Sequence, residues 1–448
     1  MKTRISRFLA LGLATAAMLV TLNASAQTFT LLHTFTGSDG AYPVGSLILS
    51  NATLYGMTLS GVFKMNTNGG SCSNLHYFGI SGGNGNNPHA ALTLSGTNLY
   101  GMTVEGGAGV GVAFRVSTNG IGYTALHYFN SRETNGSRPY GSLTLANGAL
   151  YGTTFIGGAS NRGTIFRMDT GGGGYTNLHV FAGGAADGAN PGGDLTLSGT
   201  NFYGMTSQGG AAGLGVVFRV NTNGTGYTNL HSFAGYPSDG AGPPGSLVLD
   251  GSTLYGMTQQ GGTPPHNLGM VFKMNTDGSG YTNLHSFAGG TGDGATPLGS
   301  LTLANGWLYG MTSASGASNK GTVFRVSTDG RSYTNFHSFA GGTNDGATAY
   351  GSLMLSGSTL YGVTYYGGAN NKGVVFALSN LPEPPTSLTI VHAGTQAIVS
   401  WPSSESGWTV QTNNNLATGT WGNYTGPIIN NTVTNSATKG NLFFRLAK

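Results

Sequence analysis

Two sets of polar residues in this sequence could do chemistry, and the first is periodic. A histidine recurs at positions 33, 76, 127, 179, 231, 285 and 337, and an Asx-Gly pair recurs at Asp39, Asn84, Asn135, Asp187, Asp239, Asp293 and Asp345. A ring of such oxygens could ligate Ca2+ or the hydroxyls of a sugar. The same residues also make Asx-turns, with the Gly at φ > 0. The Pro found four positions later in every unit but that of Ala349 then fixes the approach to the next strand. Calcium usually takes several carboxylates from one loop and each loop here offers one at most, which favours the turn. Histidines separated by whole units cannot converge on one metal, so hydrogen bonding between neighbouring units is expected of them, with no metal and no other cofactor.

The second set breaks the repeat, as catalysis must. It comprises Glu105, Glu133, Arg132, Arg138, His89, His266, Arg331 and Tyr366. Glu105 and Glu133, helped by Arg132 or Arg138, could form the acid pair of a carbohydrate-active lyase or hydrolase. No nucleophile elbow, metal motif or phosphate loop accompanies them, and the paired glycines read as turns. The single Cys72 allows no internal disulfide and has no His/Asn arrangement around it.

The elements that must position these residues are seen best in the stretch from Asp239 to Phe287. Four short runs rich in β-branched, aromatic and Leu residues lie there between Gly, Asn, Asp, Ser and Pro, a strand-and-turn pattern. They are labelled A (Ser246 to Leu249), B (Leu254 to Thr258), C (Val271 to Met274) and D (Tyr281 to Phe287). A–B and C–D are tight turns; B–C and D–A are longer, Gly-rich and variable, and should share one face. The strand B Tyr recurs at 55, 100, 151, 203, 255, 309 and 361, and the strand C Phe at 63, 114, 166, 218, 272, 324 and 376. The spacing is about 52 residues, near that of kelch-like propellers. A small four-stranded sheet cannot cover both its faces alone, whereas like sheets stacked radially cover one another. The first strand (Phe29 to Phe35) is of D type and the last unit stops at a C strand (Val374 to Leu378). The N-terminal strand should therefore complete the last sheet and remove an exposed edge. The expected fold is all-β: a seven-bladed propeller over 27–380. A basic residue also recurs in strand C (Lys64, Arg115, Arg167, Arg219, Lys273 and Arg325) and could join the His and Asp in a network within each blade.

Residues 1–26 read as a secretory signal peptide, with Lys2, Arg4 and Arg7 before an apolar run and Ala24-Ser25-Ala26 as the cleavage site. No later run is apolar enough for a membrane span. Of 18 Lys+Arg against 14 Asp+Glu, three basic residues lie in that leader, so the remainder is near neutral. No basic cluster interleaved with aromatics remains, which argues against nucleic acid as a partner. Residues 381–385 read as a stiff Pro-rich linker. Residues 386–448, with Trp401, Trp408 and Trp421, read as a small β-sandwich of fibronectin III-like character whose tryptophans are core.

The unit SLTLSG-x-x-LYGMT…GG…G-x-VFRVNT-[ND]-G-x-x-YTNLHSF resembles the Gloeo/Verruco (GloVer) tandem repeat of exported bacterial proteins, and the resemblance covers 28–380. Unit one is shortened between Thr58 and Phe63, and unit two has Ala90-Ala91 where others have Gly-Ser. The resemblance implies export and a propeller and brings no activity with it. The reading favoured is therefore a secreted or surface-attached monomer that binds polysaccharide or protein through its D–A and B–C loops. A carbohydrate-active enzyme and a purely structural envelope protein are the alternatives.

Overall fold

The computed structural model describes residues 27–79, 83–107, 110–130 and 135–381, together with 389–393, 396–400, 409–413, 422–425, 432–436 and 443–447. All regular structure among them is β. Seven four-stranded antiparallel sheets form the blades of a propeller. Blade 1 runs Pro43–Ser50, Thr53–Thr58, Gly61–Asn66 and Ser73–Tyr77; blade 2 runs Thr93–Ser95, Asn98–Thr103, Val112–Ser117 and Thr124–Tyr128. Blade 3 is Thr144–Ala146, Ala149–Thr154, Thr164–Asp169 and Thr176–Val180, and blade 4 is Thr196–Ser198, Asn201–Thr206, Val216–Asn221 and Thr228–Ser232. Blade 5 is Val248–Asp250, Thr253–Thr258, Met270–Asn275 and Thr282–Ser286, and blade 6 is Thr302–Ala304, Trp307–Thr312, Thr322–Ser327 and Tyr333–Ser338. Blade 7 takes Met354–Ser356, Thr359–Thr364 and Val374–Ser379 from its own unit and Thr28–Thr34 from the start of the chain. That pairing closes the ring.

Strands B and C are buried on both faces, so their alternation is lost in near-continuous apolar runs. One hydrophobic cluster fills each seam. Tyr203, Met205, Val217 and Phe233 of blade 4, for example, pack on Leu247, Leu254, Met270 and Phe272 of blade 5. The last seam joins Phe35, Val363 and Val375 to Leu47, Leu54 and Phe63. The Gly in LYGMT makes room for the strand C Phe: Gly204 pairs with Phe218, and a Cβ there would stand 2.5 Å from the Phe218 ring.

Strand A is shorter than the sequence suggests in every blade but the first. Ser246 and Leu247 lie outside it because the Ser246 N–H is donated to Ser300 of the next blade instead of to strand B. Conversely, the D–A and B–C loops carry structure of their own. Gly188–Ala189 pairs with Gln208–Gly209, and equivalent two-residue ladders occur in blades 5, 6 and 7. Single bridges, Asn86 to Glu105 and Ser137 to Ile156, do the same in blades 2 and 3. The two loop sets thus form one layered face.

Beyond the ring lie two three-stranded antiparallel sheets. One joins Thr389–Ala393, Gln396–Ser400 and Thr432–Ser436; the other joins Gly422–Asn423, Thr409–Asn413 and Phe443–Ala447. Val399 and Val433 are fully buried there, with Tyr424 and Phe444 packed on them. The leader, the Pro-rich linker beyond Leu381 and the three C-terminal tryptophans lie outside the described residues.

Candidate functional site

The periodic carboxylates are engaged from within. His179 Nε2 lies 3.2 Å from Asp187, and the pairs His33–Asp39, His231–Asp239, His285–Asp293 and His337–Asp345 lie at 2.9–3.1 Å. Asp239 also accepts the Ala234 and Gly240 N–H groups and the hydroxyl of Tyr281 from the next blade. His231 in turn stacks on Tyr281 at 3.8 Å. The His therefore bonds to the loop that follows it and touches the next blade through its ring face. Burial alone would raise the carboxyls of Asp187, Asp239 and Asp293. Hydrogen bonds from the histidine and neighbouring groups outweigh it and hold them below the ordinary range. Asp39 is lowered likewise, with Thr36 as the main donor.

Asn84 and Asn135 meet the neighbouring blade through backbone carbonyls, which accept the hydroxyls of Tyr123 and Tyr175. His76 and His127 in those blades keep a buried, unbonded Nε2. Desolvation pushes both histidines down, His127 to about 4. The strand C cations point elsewhere. Lys64 and Lys273 donate to the Thr118 and Thr328 carbonyls of the following unit, and Arg325 lies 4.0 Å over Trp307. Among the described residues no group of three or more His, Cys, Asp or Glu could hold a metal ion. Cys72 is half-buried, and burial pushes its thiol up to about 11.

Of the residues that break the repeat, Glu133 and Arg132 lie outside the described residues. Glu105 sits on the loop face, 3.5 Å from the Asn86 amide, and Arg138 is exposed nearby. Arg331 is on a C–D turn, on the opposite face, beside Asp329. His266 lies in the blade 5 B–C loop. His89 and Tyr366 are the two that enter a larger assembly.

That assembly is built at the axis. In the motif Asp-Gly-x-x-Pro-x-Gly-Ser-Leu, the Gly before Ser packs against its counterpart in the next blade. A Cβ on Gly193 would stand 2.2 Å from the Gly245 carbonyl oxygen, and one on Gly299 2.2 Å from that of Gly351. Across five of the seven seams the Ser that follows accepts a backbone N–H: Ala91 to Ser142, Asp194 to Ser246, Ser246 to Ser300, Ser300 to Ser352, and Ser352 to Ser46. This ring lines an axial cavity of about 90 Å3.

Above the ring, the residue between Pro and Gly faces the axis in every blade. These are Val44, His89, Tyr140, Gly192, Pro244, Leu298 and Tyr350, all lining one depression of about 480 Å3. Ser207, Gln208, Gln259, Gln260 and Phe155 of the B–C loops form its wall. His89 meets Tyr140 edge-on at 5.1 Å, and Tyr140 meets Phe155 at 5.1 Å. Burial, opposed by the charge of Glu105, holds His89 below its usual range and so neutral. Tyr42, Tyr350, Tyr365 and Tyr366 make a second aromatic group beside it, with centroids 4.8–5.8 Å apart. The third residue after each Asx feeds these positions from left-handed backbone, even where it is Tyr42, Arg138, Thr296 or Thr348. Left-handed Thr costs on the order of 1 kcal/mol or more. Ring closure and the pairing of the two loop sets hold it in place.

Two members of the inner ring are not Ser, Ala91 and Asp194. Asp194 is partly open to the axial cavity, but its carboxylate is enclosed by the ring, where it accepts the Ser142 N–H. Desolvation there pushes the carboxyl above its ordinary range. An acid raised on folding favours the fold below its unfolded value, and stability falls as pH rises through the folded one. Asp194→Ser would place the common serine at that position and remove that loss. We expect it to raise stability by about 1–3 kcal/mol at pH 7 and by much less at pH 4. Urea titrations at both pH values check this; an equal effect at the two would refute it.

Sequence reasoning missed the depression although its signal was in the motif. The position between Pro and Gly is the one that varies most from unit to unit, while its neighbours repeat.

Comparison with solved structures finds the same fold. A GH74 enzyme of Niastella koreensis matches with a TM-score of 0.51 at 16% identity, over 84% of this chain and 59% of that one. The extracellular domain of a hybrid two component system protein from B. thetaiotaomicron matches with a TM-score of 0.50 at 14% identity, over 92% and 55%. The chain thus spans less than two thirds of either. No curated protein sequence matches it. The Gloeobacter/Verrucomicrobia repeat matches residues 10–201, 109–312, 184–376 and 253–427. Those overlapping matches run through every blade, and the chain belongs to the Gloeobacter/Verrucomicrobia repeat family.

Proposed function

We propose that the protein is an exported binding module whose ligand, a polysaccharide or a surface protein, docks on the face carrying the D–A and B–C loops. The observation that carries this is the axial depression. Seven equivalent positions that could hold one residue type hold Val, His, Tyr, Gly, Pro, Leu and Tyr, so the symmetry is broken where the loops converge. Tyr350 within it and Tyr366 beside it are about two-fifths exposed. A concave site lined by aromatics with a few amides and hydroxyls suits ligand binding. The leader-like residues 1–26 support export, and no helix among the described residues is long and apolar enough to cross a membrane. The ring over 27–380 acts as a monomer, and the sheets of 386–448 form a small sandwich behind the linker at 381–385.

The test is a binding screen of the full chain against polysaccharides and cell-surface proteins. Tyr140→Ala and Tyr350→Ala should each weaken whatever binds by about 1–2 kcal/mol, while Ile121→Ala, on an exposed C–D turn of the opposite face, should not. Equal loss from Ile121→Ala, or none from the two tyrosines, would remove the site from this face.

A further inference from the structure

Blade 1 differs from the other six in one respect that shapes the whole face. Its B–C connection is only Leu59-Ser60, between Thr53–Thr58 and Gly61–Asn66. The other blades place a long B–C loop there, paired to the preceding D–A loop. Among the described residues the rim is therefore one loop short at blade 1. The gap is a groove of about 400 Å3, lined by Tyr42, Ser60, Tyr77, Asn86 and Lys372 among others.

The groove and the axial depression are joined by aromatic rings. Tyr77, 55% exposed, stands at the groove. Tyr42 lines it too and stacks on Tyr365 at 5.0 Å, and Tyr365 meets Tyr350 edge-on at 5.0 Å. Tyr350 already lines the depression. The track so formed offers ring faces flanked by neutral donors and acceptors: Ser60 and Asn86 at the outer end, Ser207, Gln208, Gln259 and Gln260 at the inner. Its one cation, Lys372, already donates to the Thr36 carbonyl at 3.0 Å. Asp194 lies below the track, held by Ser142.

We propose that this track is the site for a linear, uncharged polysaccharide, which enters through the blade 1 gap and reaches the axial depression. This rests on the binding role proposed above and names its ligand class. Sugar rings present apolar C–H faces that cover aromatic rings, and hydroxyls around their edges that amides and hydroxyls can satisfy. An acidic polymer would meet no cluster of cations here, and a charged peptide would leave its charges unpaired. The depression, walled by the B–C loops, suits one stretch of the chain, and the side groove suits the units that follow it.

The experiment uses the full chain in native gels containing a neutral β-glucan, a galactomannan or a xylan, with polygalacturonate as the acidic control. Oligosaccharides of the polymer that retards the protein are then titrated by calorimetry. At least one neutral polymer should retard it, and affinity should rise about tenfold from trisaccharide to hexasaccharide. Tyr77→Ala should erase that gain and leave trisaccharide affinity and melting temperature unchanged. Tyr350→Ala should weaken both oligosaccharides about tenfold. Equal affinity for the two lengths, or an inert Tyr77→Ala, would overturn the groove and leave the axial binding site standing. Retention by polygalacturonate alone would overturn the neutral class. Binding of a protein through Tyr350 with no polysaccharide retained would overturn the glycan assignment but keep the module, and tyrosine-independent binding would overturn both.

Discussion

Deletion of Thr28–Thr34 is expected to unfold the ring or leave it aggregating, with most of the roughly 5–15 kcal/mol of a typical domain lost. The segment is the outer strand of blade 7, paired from Thr28 with Ser379 to Thr34 with Val374. Its Phe29 stacks on His337 at 3.9 Å and on Phe376 at 5.3 Å, so it also covers the blade 6 seam. Without it the strand Val374–Ser379 becomes a long apolar edge, a template for pairing between molecules. Chemical denaturation and light scattering of the deleted chain check this. A cooperative, monomeric transition close to that of the intact chain would show that closure adds little.

Gly299→Ala is the second large effect, on the order of 3 kcal/mol or more. The new methyl would lie 2.2 Å from the Gly351 carbonyl oxygen, a backbone atom that no rotamer change can move aside. Because six further blades lean on the same ring, the strain cannot be relieved locally. Gly171→Ala is the control: its Cβ would meet nothing within 4 Å, and the change should be close to neutral. Ala90 marks the one ring position that already carries a methyl. It is followed by Ala91 in place of Ser, with the Ala91 N–H still donated to Ser142. Thermal melts of both variants decide it, and similar melting temperatures would refute the close-packed ring.

The propeller was legible because its determinants are local and repeated. Tyr in strand B, Phe in strand C and His in strand D recur at one register, and each reports a contact made afresh in every seam. Closure was legible too, from the type of the first and last strands. The His–Asp pairing belongs to the same class, since eight residues separate His231 from Asp239 and a single turn brings them together. The strand C cations were harder. Their spacing places them on the same strand in each blade, but Lys64 and Lys273 reach a carbonyl of the next blade's turn while Arg167 and Arg325 meet Asp169 and Trp307 of their own blade.

What the sequence determined by itself is the repeated unit, its four strands, its turns and the number of blades, because alternation, turn chemistry and period act within a few residues of one another. What only the tertiary structure decided is the face. His89, Tyr140 and Tyr350 lie in different units, and it is ring closure that brings these distant positions around one depression. The short Leu59-Ser60 turn reads in sequence as a missing loop. It becomes a groove because a closed ring holds the neighbouring blades at fixed positions on either side of the gap.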